Sequence, residues 1–175
     1  MIGIGEPAPA FELPGVVAGR VRRVRLSEYR GQWVVVFFYP ADFTFVCPTE
    51  VAGFHRELDT FRKLGVEVVG ISVDSVDSHR EWANELGGIA YPLLSDQGAA
   101  VSIQYGVYDR VGGVARRVTL VVDPTGVLQY LVASHHNVGR SVEETLRVVR
   151  ALQTGRLCPA EWHPGDPTFD PEHKY

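Results

Sequence analysis

Two thiols stand out in this chain, Cys47 and Cys158. A thiol attacks as its thiolate, so what surrounds each sulfur decides whether it can do chemistry. Cys47 lies in Phe38-Tyr39-Pro40-Ala41-Asp42-Phe43-Thr44-Phe45-Val46-Cys47-Pro48-Thr49-Glu50. Proline favours the first helical position, which places Cys47 at or beside a helix N-cap. Unpaired N–H groups and the positive end of the helix dipole favour an anion there. A lone cysteine is most often a small buried hydrophobe. The helix start, with polar Thr44 and Glu50 nearby, points instead to a nucleophile. Raising the thiolate fraction at pH 7 from roughly 3% to roughly 90% requires a drop in pKa from about 8.5 to about 6. That drop is worth about 3.4 kcal/mol at about 1.36 per unit. A helix terminus supplies only about 0.3–1 kcal/mol, so a fixed cation must add much of the rest.

No lysine or arginine lies between Gly31 and Glu50, so that cation comes from elsewhere in the chain. Arg116 and Arg117, entering an apolar run from Val118 to Val122, are the best candidates, because a guanidinium carried into a buried strand must find a partner. Glu50 by itself disfavours a thiolate, so a role in the chemistry requires an arginine between the two. Its plain alternative is a first-turn carboxylate that suits the helix dipole. Arg140 precedes a helix cap, where both a surface arginine and a residue that orients Arg117 remain open. His135 and His136 are adjacent, and neighbours on a strand face opposite sides, so no role is assigned to them. Trp82 and Trp162 read as packing residues.

The elements around these residues alternate between strand and helix. Trp33 to Tyr39 is a continuous apolar run, as in a strand buried on both faces, and it stops at Pro40. Apolar residues at 51, 54, 58, 61 and 64 predict one amphipathic helix closed by Gly65. Val66 to Val73 predicts a second buried strand, Ser78 to Leu86 a helix, and Ala99 to Tyr105 a short helix. Val114 to Val122 and Val127 to Ala133 predict a hairpin about Asp123-Pro124-Thr125-Gly126. Ser141 to Gln153 opens with a serine and has Glu144 three residues on, a capping-box signature. The order gives an α/β class with a central mixed sheet flanked by helices. The last 22 residues, Thr154 to Tyr175, hold four prolines and two glycines and show neither period. This extended C-terminal tail is too apolar at Leu157, Trp162 and Phe169 to be simply solvated, and Cys158 sits within it. The expected organisation is thus a domain over 1–153 and a tail over 154–175.

Composition narrows the function. The 175 residues suit one domain on the usual span of about 100–200. With 45% hydrophobic and 22% charged residues the chain is too apolar for a disordered one. A net charge of −4 argues against nucleic-acid binding through a basic face. The longest apolar run is far short of the ~20 residues of a membrane span. Nothing at the start resembles a secretory signal. Two cysteines are too few for a disulfide framework or a four-ligand zinc site, so a cytoplasmic location is expected. The glycines form no phosphate-binding fingerprint.

The run Pro40-x-x-x-Thr44-x-x-Cys47-Pro48-Thr49-Glu50 resembles the active-site motif of peroxiredoxins. The resemblance covers nearly the whole chain. It begins at Ile4-Gly5-Glu6-Pro7-Ala8-Pro9-Ala10-Phe11 and takes in Val69-Gly70-Ile71-Ser72-Val73-Asp74-Ser75, Trp82 and Tyr91-Pro92-Leu93-Leu94-Ser95-Asp96. It continues with Arg117 before Val121-Val122-Asp123 and with Val138-Gly139-Arg140-Ser141. Leu157-Cys158-Pro159-Ala160-x-Trp162 resembles the resolving-cysteine motif of the typical two-cysteine subgroup, the bacterial alkyl hydroperoxide reductase C type.

The resemblance implies a thioredoxin-like fold and an antioxidant peroxidase for hydrogen peroxide and organic hydroperoxides that uses no metal, haem or flavin. Cys47 is implied as the thiolate that becomes a sulfenic acid. Thr44 and Arg117 are implied to hold the peroxide oxygens, Pro40 to shield the sulfur, and Glu50 and Arg140 to orient Arg117. Cys158 of the partner subunit is implied to form an interchain disulfide, which a thioredoxin-like or AhpF-like reductase then reduces. The catalytic unit so implied is a homodimer, and whether dimers close into a decamer stays open. Sensitive eukaryotic members carry Gly-Gly-Leu-Gly in a longer loop and a C-terminal helix with Tyr-Phe. Here Gly87-Gly88-Ile89-Ala90 stands in a shorter loop, and seventeen residues follow Cys158. Two other functions fit the chain less well. A thiol-disulfide oxidoreductase needs a C-x-x-C pair that is absent here, and an oligomeric holdase is a role no residue tests.

Overall fold

A computed structural model describes residues 1–173; Lys174 and Tyr175, the end of the expected tail, lie outside the described residues. By internal contacts the chain divides into two compact units, one of Met1–Arg140 and a second opening at Ser141.

The first unit is built on a seven-stranded sheet. Its strands are β1 (Glu12–Val17), β2 (Arg20–Arg25), β3 (Trp33–Phe38), β4 (Val66–Ser72), β5 (Leu93–Ser95), β8 (Arg117–Val122) and β9 (Leu128–Ser134), in the order β2-β1-β5-β4-β3-β8-β9. A two-stranded ribbon of β6 (Tyr108–Asp109) and β7 (Val114–Ala115) stands apart. The three central strands run parallel, and antiparallel pairs extend the sheet on either side. Val34–Phe38 and β8 are buried throughout, as expected of strands covered on both faces. Helices α1 (Cys47–Arg56), α2 (Leu58–Lys63), α3 (Val76–Glu85) and α4 (Ala100–Gln104) complete the unit, with α2 beside β4 and α3 against β1 and β5.

The structure departs from the expected elements at several points. The β1–β2 hairpin carries no strand period a reader could find. Pro14 and Gly15 interrupt β1, and only Val24 of β2 is buried. Its turn is set by two left-handed residues, Ala18 (φ 48°) and Gly19 (φ 79°), which match the twist of paired strands. The single helix expected across 51–64 is two, because Glu57 (φ −93°, ψ 5°) breaks the ladder between α1 and α2. Helix α3 starts earlier than expected, since Ser75 rather than Ser78 caps it, accepting from the Ser78 N–H at 3.1 Å. The hairpin about Asp123–Gly126 forms as expected. The Asp123 carboxylate accepts from Thr125, Val127 and Gln129, and Gly126 supplies φ 87°.

In the second unit, α5 (Val142–Gln153) is capped by Ser141, which accepts the Glu144 N–H at 3.0 Å. The chain then returns over its own helix. Arg147 donates to the Trp162 carbonyl, the Trp162 indole to Asp166, and Leu157 pairs with Phe169 in an antiparallel bridge. Trp162 is buried, whereas Leu157 and Phe169 remain exposed. Among the described residues no helix is long and apolar enough to cross a membrane.

Candidate active site

Strand β3 ends at Phe38, and the loop that follows carries Pro40 and Thr44 to the first residue of α1, Cys47. Pro48 occupies the first turn, as its fixed φ and missing N–H favour. Helix α1 therefore directs its N-terminal dipole at the sulfur. Cys47 is fully buried at the end of a loop whose Phe43 and Phe45 are exposed.

Arg117, the first residue of β8, reaches this sulfur across the end of the sheet. Its Nη1 lies 3.2 Å from Cys47 Sγ and 2.7 Å from Glu50 Oε2, and its Nε donates to the His136 carbonyl at 2.8 Å. Of the two arginines considered for this role, Arg117 is buried and Arg116 is exposed. Glu50, three residues along α1 from Cys47, is enclosed between two guanidiniums. Arg140 donates from its backbone N–H and Nε to Oε1, both at 2.8 Å, and from Nη2 to Oε2 at 2.9 Å. Arg140 Nη1 donates to the Phe38 carbonyl at 2.7 Å, and its guanidinium lies 5.7 Å from the centroid of the Phe37 ring. Burial pushes the Glu50 carboxyl up, but the hydrogen bonds and charge of Arg140, with the charge of Arg117, outweigh it and hold the carboxyl below its ordinary 4.5. A buried carboxylate survives here because both of its oxygens are saturated by charged donors.

The remaining expected residues fall in different places. Pro40 is half-buried and lines, with Arg117, His135 and His136, a cleft of about 500 Å³. Thr44 is exposed, and its hydroxyl donates to the Ala41 carbonyl at 3.1 Å rather than to the sulfur. Cys158 belongs to the second unit. Its sulfur is half-buried among the Ala151 carbonyl (3.7 Å), the Arg156 carbonyl (3.8 Å) and the Thr154 hydroxyl (3.4 Å). Both cysteines are free thiols. The rings of His135 and His136 lie 4.0 Å apart on the loop whose carbonyl holds Arg117, so His136 contributes backbone rather than imidazole. Among the described residues no cluster of three or more His, Cys, Asp or Glu could hold a metal.

Sequence inspection missed the polar cluster behind the loop. Asp42 accepts from Tyr39, Ser78 and His79, and its N–H donates to Asp74. An acidic residue directly before Phe43, and a histidine three residues before Trp82 on α3, were the visible traces.

A match to the AhpC/TSA family spans residues 4–131. The chain is 46% identical over 178 residues to Peroxiredoxin-2 of Cricetulus griseus, covering 96% of this chain and 90% of that one. Among solved structures, the reduced 2-Cys peroxiredoxin of Plasmodium vivax superposes with a TM-score of 0.89 at 36% identity, covering 94% of this chain and 91% of its own. AhpC of Mycobacterium tuberculosis gives 0.85 at 38% identity, covering 93% and 99%.

Proposed function

The chain belongs to the AhpC/TSA family of peroxiredoxins and has their thioredoxin-like fold and peroxidase class, and on that premise we propose that Cys47 is its peroxide-reducing thiol. The observation that carries the assignment is Arg117 Nη1, shared between Cys47 Sγ and Glu50. Two guanidiniums and one carboxylate leave one positive charge in a buried site, and an ionised sulfur cancels it. In the reaction the thiolate attacks one oxygen of ROOH and the O–O bond breaks. The sulfur keeps that oxygen as a sulfenic acid, and the departing alkoxide takes a proton to become ROH. Arg117, held at a fixed angle by His136 and Glu50, stabilises the charge that develops on the oxygens. Thr44 turns its hydroxyl from Ala41 to the bound peroxide, and Pro40 limits water at the sulfur. Glu50 and Arg140 keep Arg117 in place.

The peroxide-reducing body is residues 1–153, and the tail 154–175 delivers the second thiol. Cys158 of the partner subunit attacks the sulfenic sulfur, forming an interchain S–S bond and releasing the oxygen as water. A thioredoxin-like or AhpF-like dithiol then reduces the disulfide, returning both thiols. A homodimer is the smallest unit this scheme allows, and a decamer of five dimers is compatible with it. A cytoplasmic setting, where such a reductant acts, suits two free thiols.

Peroxide consumption by the full-length protein with a dithiol reductant tests the first step. Activity lost on Cys47→Ser supports the assignment, and activity retained overturns it. A non-reducing gel after one equivalent of hydrogen peroxide tests the second step. A dimer band that vanishes in Cys158→Ser is expected, and a monomer band alone refutes interchain pairing.

A further inference from the structure

Beside the loop that leads into Cys47 lies a histidine with no part in the chemistry above. His79 of α3 is fully buried. Its Nδ1 lies 2.7 Å from Asp42 Oδ2, and its Nε2 lies 3.0 Å from the Leu94 carbonyl on β5. The Tyr39 hydroxyl also lies 3.3 Å from Nδ1, and a ring with hydrogen on both nitrogens would donate to the carboxylate and the carbonyl at once. The same carboxylate receives the Tyr39 hydroxyl on Oδ1 and the Ser78 hydroxyl on Oδ2, each at 2.8 Å. Burial, and then the adjacent Asp42 charge, push the Tyr39 phenol well above 10, so it remains a donor. The Asp42 N–H donates at 3.0 Å to Asp74, the other acid facing the cluster.

Asp42 is two residues after Pro40 and two before Thr44. The residue beyond it, Phe43, adopts a left-handed φ of 53°, which side chains rarely accept without an outside hold. The Phe43 ring lies 6.3 Å from the Trp82 ring, one helical turn along α3 from His79. Helix α3 thus grips two successive loop residues, one by charge and one by ring contact.

We propose that His79 is a positioning residue for the peroxide step, its imidazolium holding the 40–46 loop closed through Asp42. The proposal rests on Cys47 being the peroxide-reducing thiol. Its logic is that the same loop must open for a disulfide to form. A buried ion pair holds strongly while dry, and its two charges regain hydration once the segment opens. Such a pair favours the closed state without forbidding the open one. Neutralising either member biases the loop towards opening, which slows the peroxide step and spares the disulfide step.

Single-turnover mixing of the full-length protein with hydrogen peroxide separates sulfenic acid formation from disulfide formation. His79→Gln and Asp42→Asn are each expected to slow the first at least tenfold and to leave the second equal or faster. The pair His79→Gln/Asp42→Asn, two neutral amides able to bond each other, is expected to recover at least threefold over either single variant. Parallel slowing of both steps, or a first step within twofold of wild type, overturns the proposal. Should the variants fail to fold, imidazole nitrogen shifts of labelled wild type decide. An imidazolium pattern for His79 at pH 7 supports the hold by charge, and a neutral-ring pattern overturns it. Wild type that shows no Cys47-dependent peroxide consumption defeats the functional reading instead, and the nitrogen shifts distinguish that failure from this one.

Discussion

Replacing Arg117 by methionine separates catalysis from stability because of how Glu50 divides its partners. Three of the four charged or backbone donors on that carboxylate come from Arg140 and one from Arg117. Removing Arg117 leaves a buried carboxylate still paired and orphans chiefly the His136 carbonyl, a loss of about 1–3 kcal/mol. Against a typical stability of about 5–15 kcal/mol the variant stays folded. Its chemistry loses the one cation in contact with the sulfur among the described residues. A fixed donor aimed at developing charge is worth roughly 10²–10³ in rate, or about 2.7–4 kcal/mol. Arg117→Met is therefore expected to lower the second-order rate of Cys47 oxidation by about that factor. Arg117→Lys keeps the charge but cannot reach His136 and Glu50 through separate nitrogens, so it should fall between methionine and wild type. Stopped-flow oxidation at pH 7, with thermal unfolding alongside, measures both quantities. A folded Met variant within threefold of wild type would refute the role given to the guanidinium.

The remaining expectations concern the ion cluster, the core beneath it and the two thiols. The folded Glu50 carboxyl titrates below 4.5, so just beneath that pH the unfolded chain binds the extra proton and stability rises with pH. The contribution is complete above 4.5 and lost as pH falls through the folded value. Urea midpoints from pH 6 to 3 should drop more steeply for wild type than for Glu50→Gln, and equal slopes refute this. In Gly70→Ala the added Cβ meets Phe37 Cζ at 2.8 Å and Leu93 Cδ2 at 2.9 Å. Such overpacking costs about 1–3 kcal/mol, with Tm falling about 2–4 °C for each, and an unchanged Tm contradicts it. Among the described residues the contacts of the Cys158 sulfur are weak ones of 3.4–3.8 Å, so its thiol should capture the sulfenic acid before a second peroxide does. Rapid build-up of sulfinic acid under excess peroxide, seen by mass spectrometry, would refute that. Once the disulfide forms, the amides of residues 44–49 should exchange faster while the Arg140 amide, bonded to Glu50, stays protected. Loss of protection at Arg140 would place the opening farther along α1.

What could be seen in the sequence followed how local each cause was. A thiol before a proline, a carboxylate three residues on and an arginine entering an apolar strand are local patterns, and the structure gathers Cys47, Glu50, Arg117 and Arg140 within hydrogen-bond reach. The apolar runs of β3 and β4 were legible for the same reason. The break at Glu57 was not, since the apolar spacing runs unbroken across it and only backbone angles record it. The β1–β2 hairpin stayed hidden because its strands follow pairing and turn geometry rather than alternation. His79 escaped because a histidine's burial depends on what three other elements bring to it: Asp42 from the loop, Tyr39 beyond β3 and a carbonyl from β5. The direction of the Thr44 hydroxyl, towards Ala41, is likewise set by the loop's own path.

Enclosure and exchange make opposite demands on the first turn of α1. Peroxide reduction wants the sulfur beside Arg117 and away from bulk water, as it stands here, fully buried. A disulfide to another chain wants Cα atoms about 4.4–6.8 Å apart, which a buried sulfur at the root of a helix cannot offer. Under the proposed interchain pairing the turn has to unwind, and the distribution of bonds bears on where. Between Val46 and Thr49, beside the regular helix ladder and the Arg117 contact to the sulfur, stand a backbone bond of 3.0 Å and a hydroxyl bond of 2.6 Å, both to the Val46 carbonyl. At Glu50 it becomes a carboxylate locked by two buried arginines, whose rupture strands like charges in the interior. Breaking one member of such a set costs about 3–5 kcal/mol, against about 0.5–1.5 for each neutral bond. On the proposed interchain scheme, unwinding is therefore expected to stop short of Glu50. In that scheme the carboxylate proposed to orient Arg117 in one half of the cycle would serve as the fixed end of the hinge in the other, with the arginines in place for the sulfur to return.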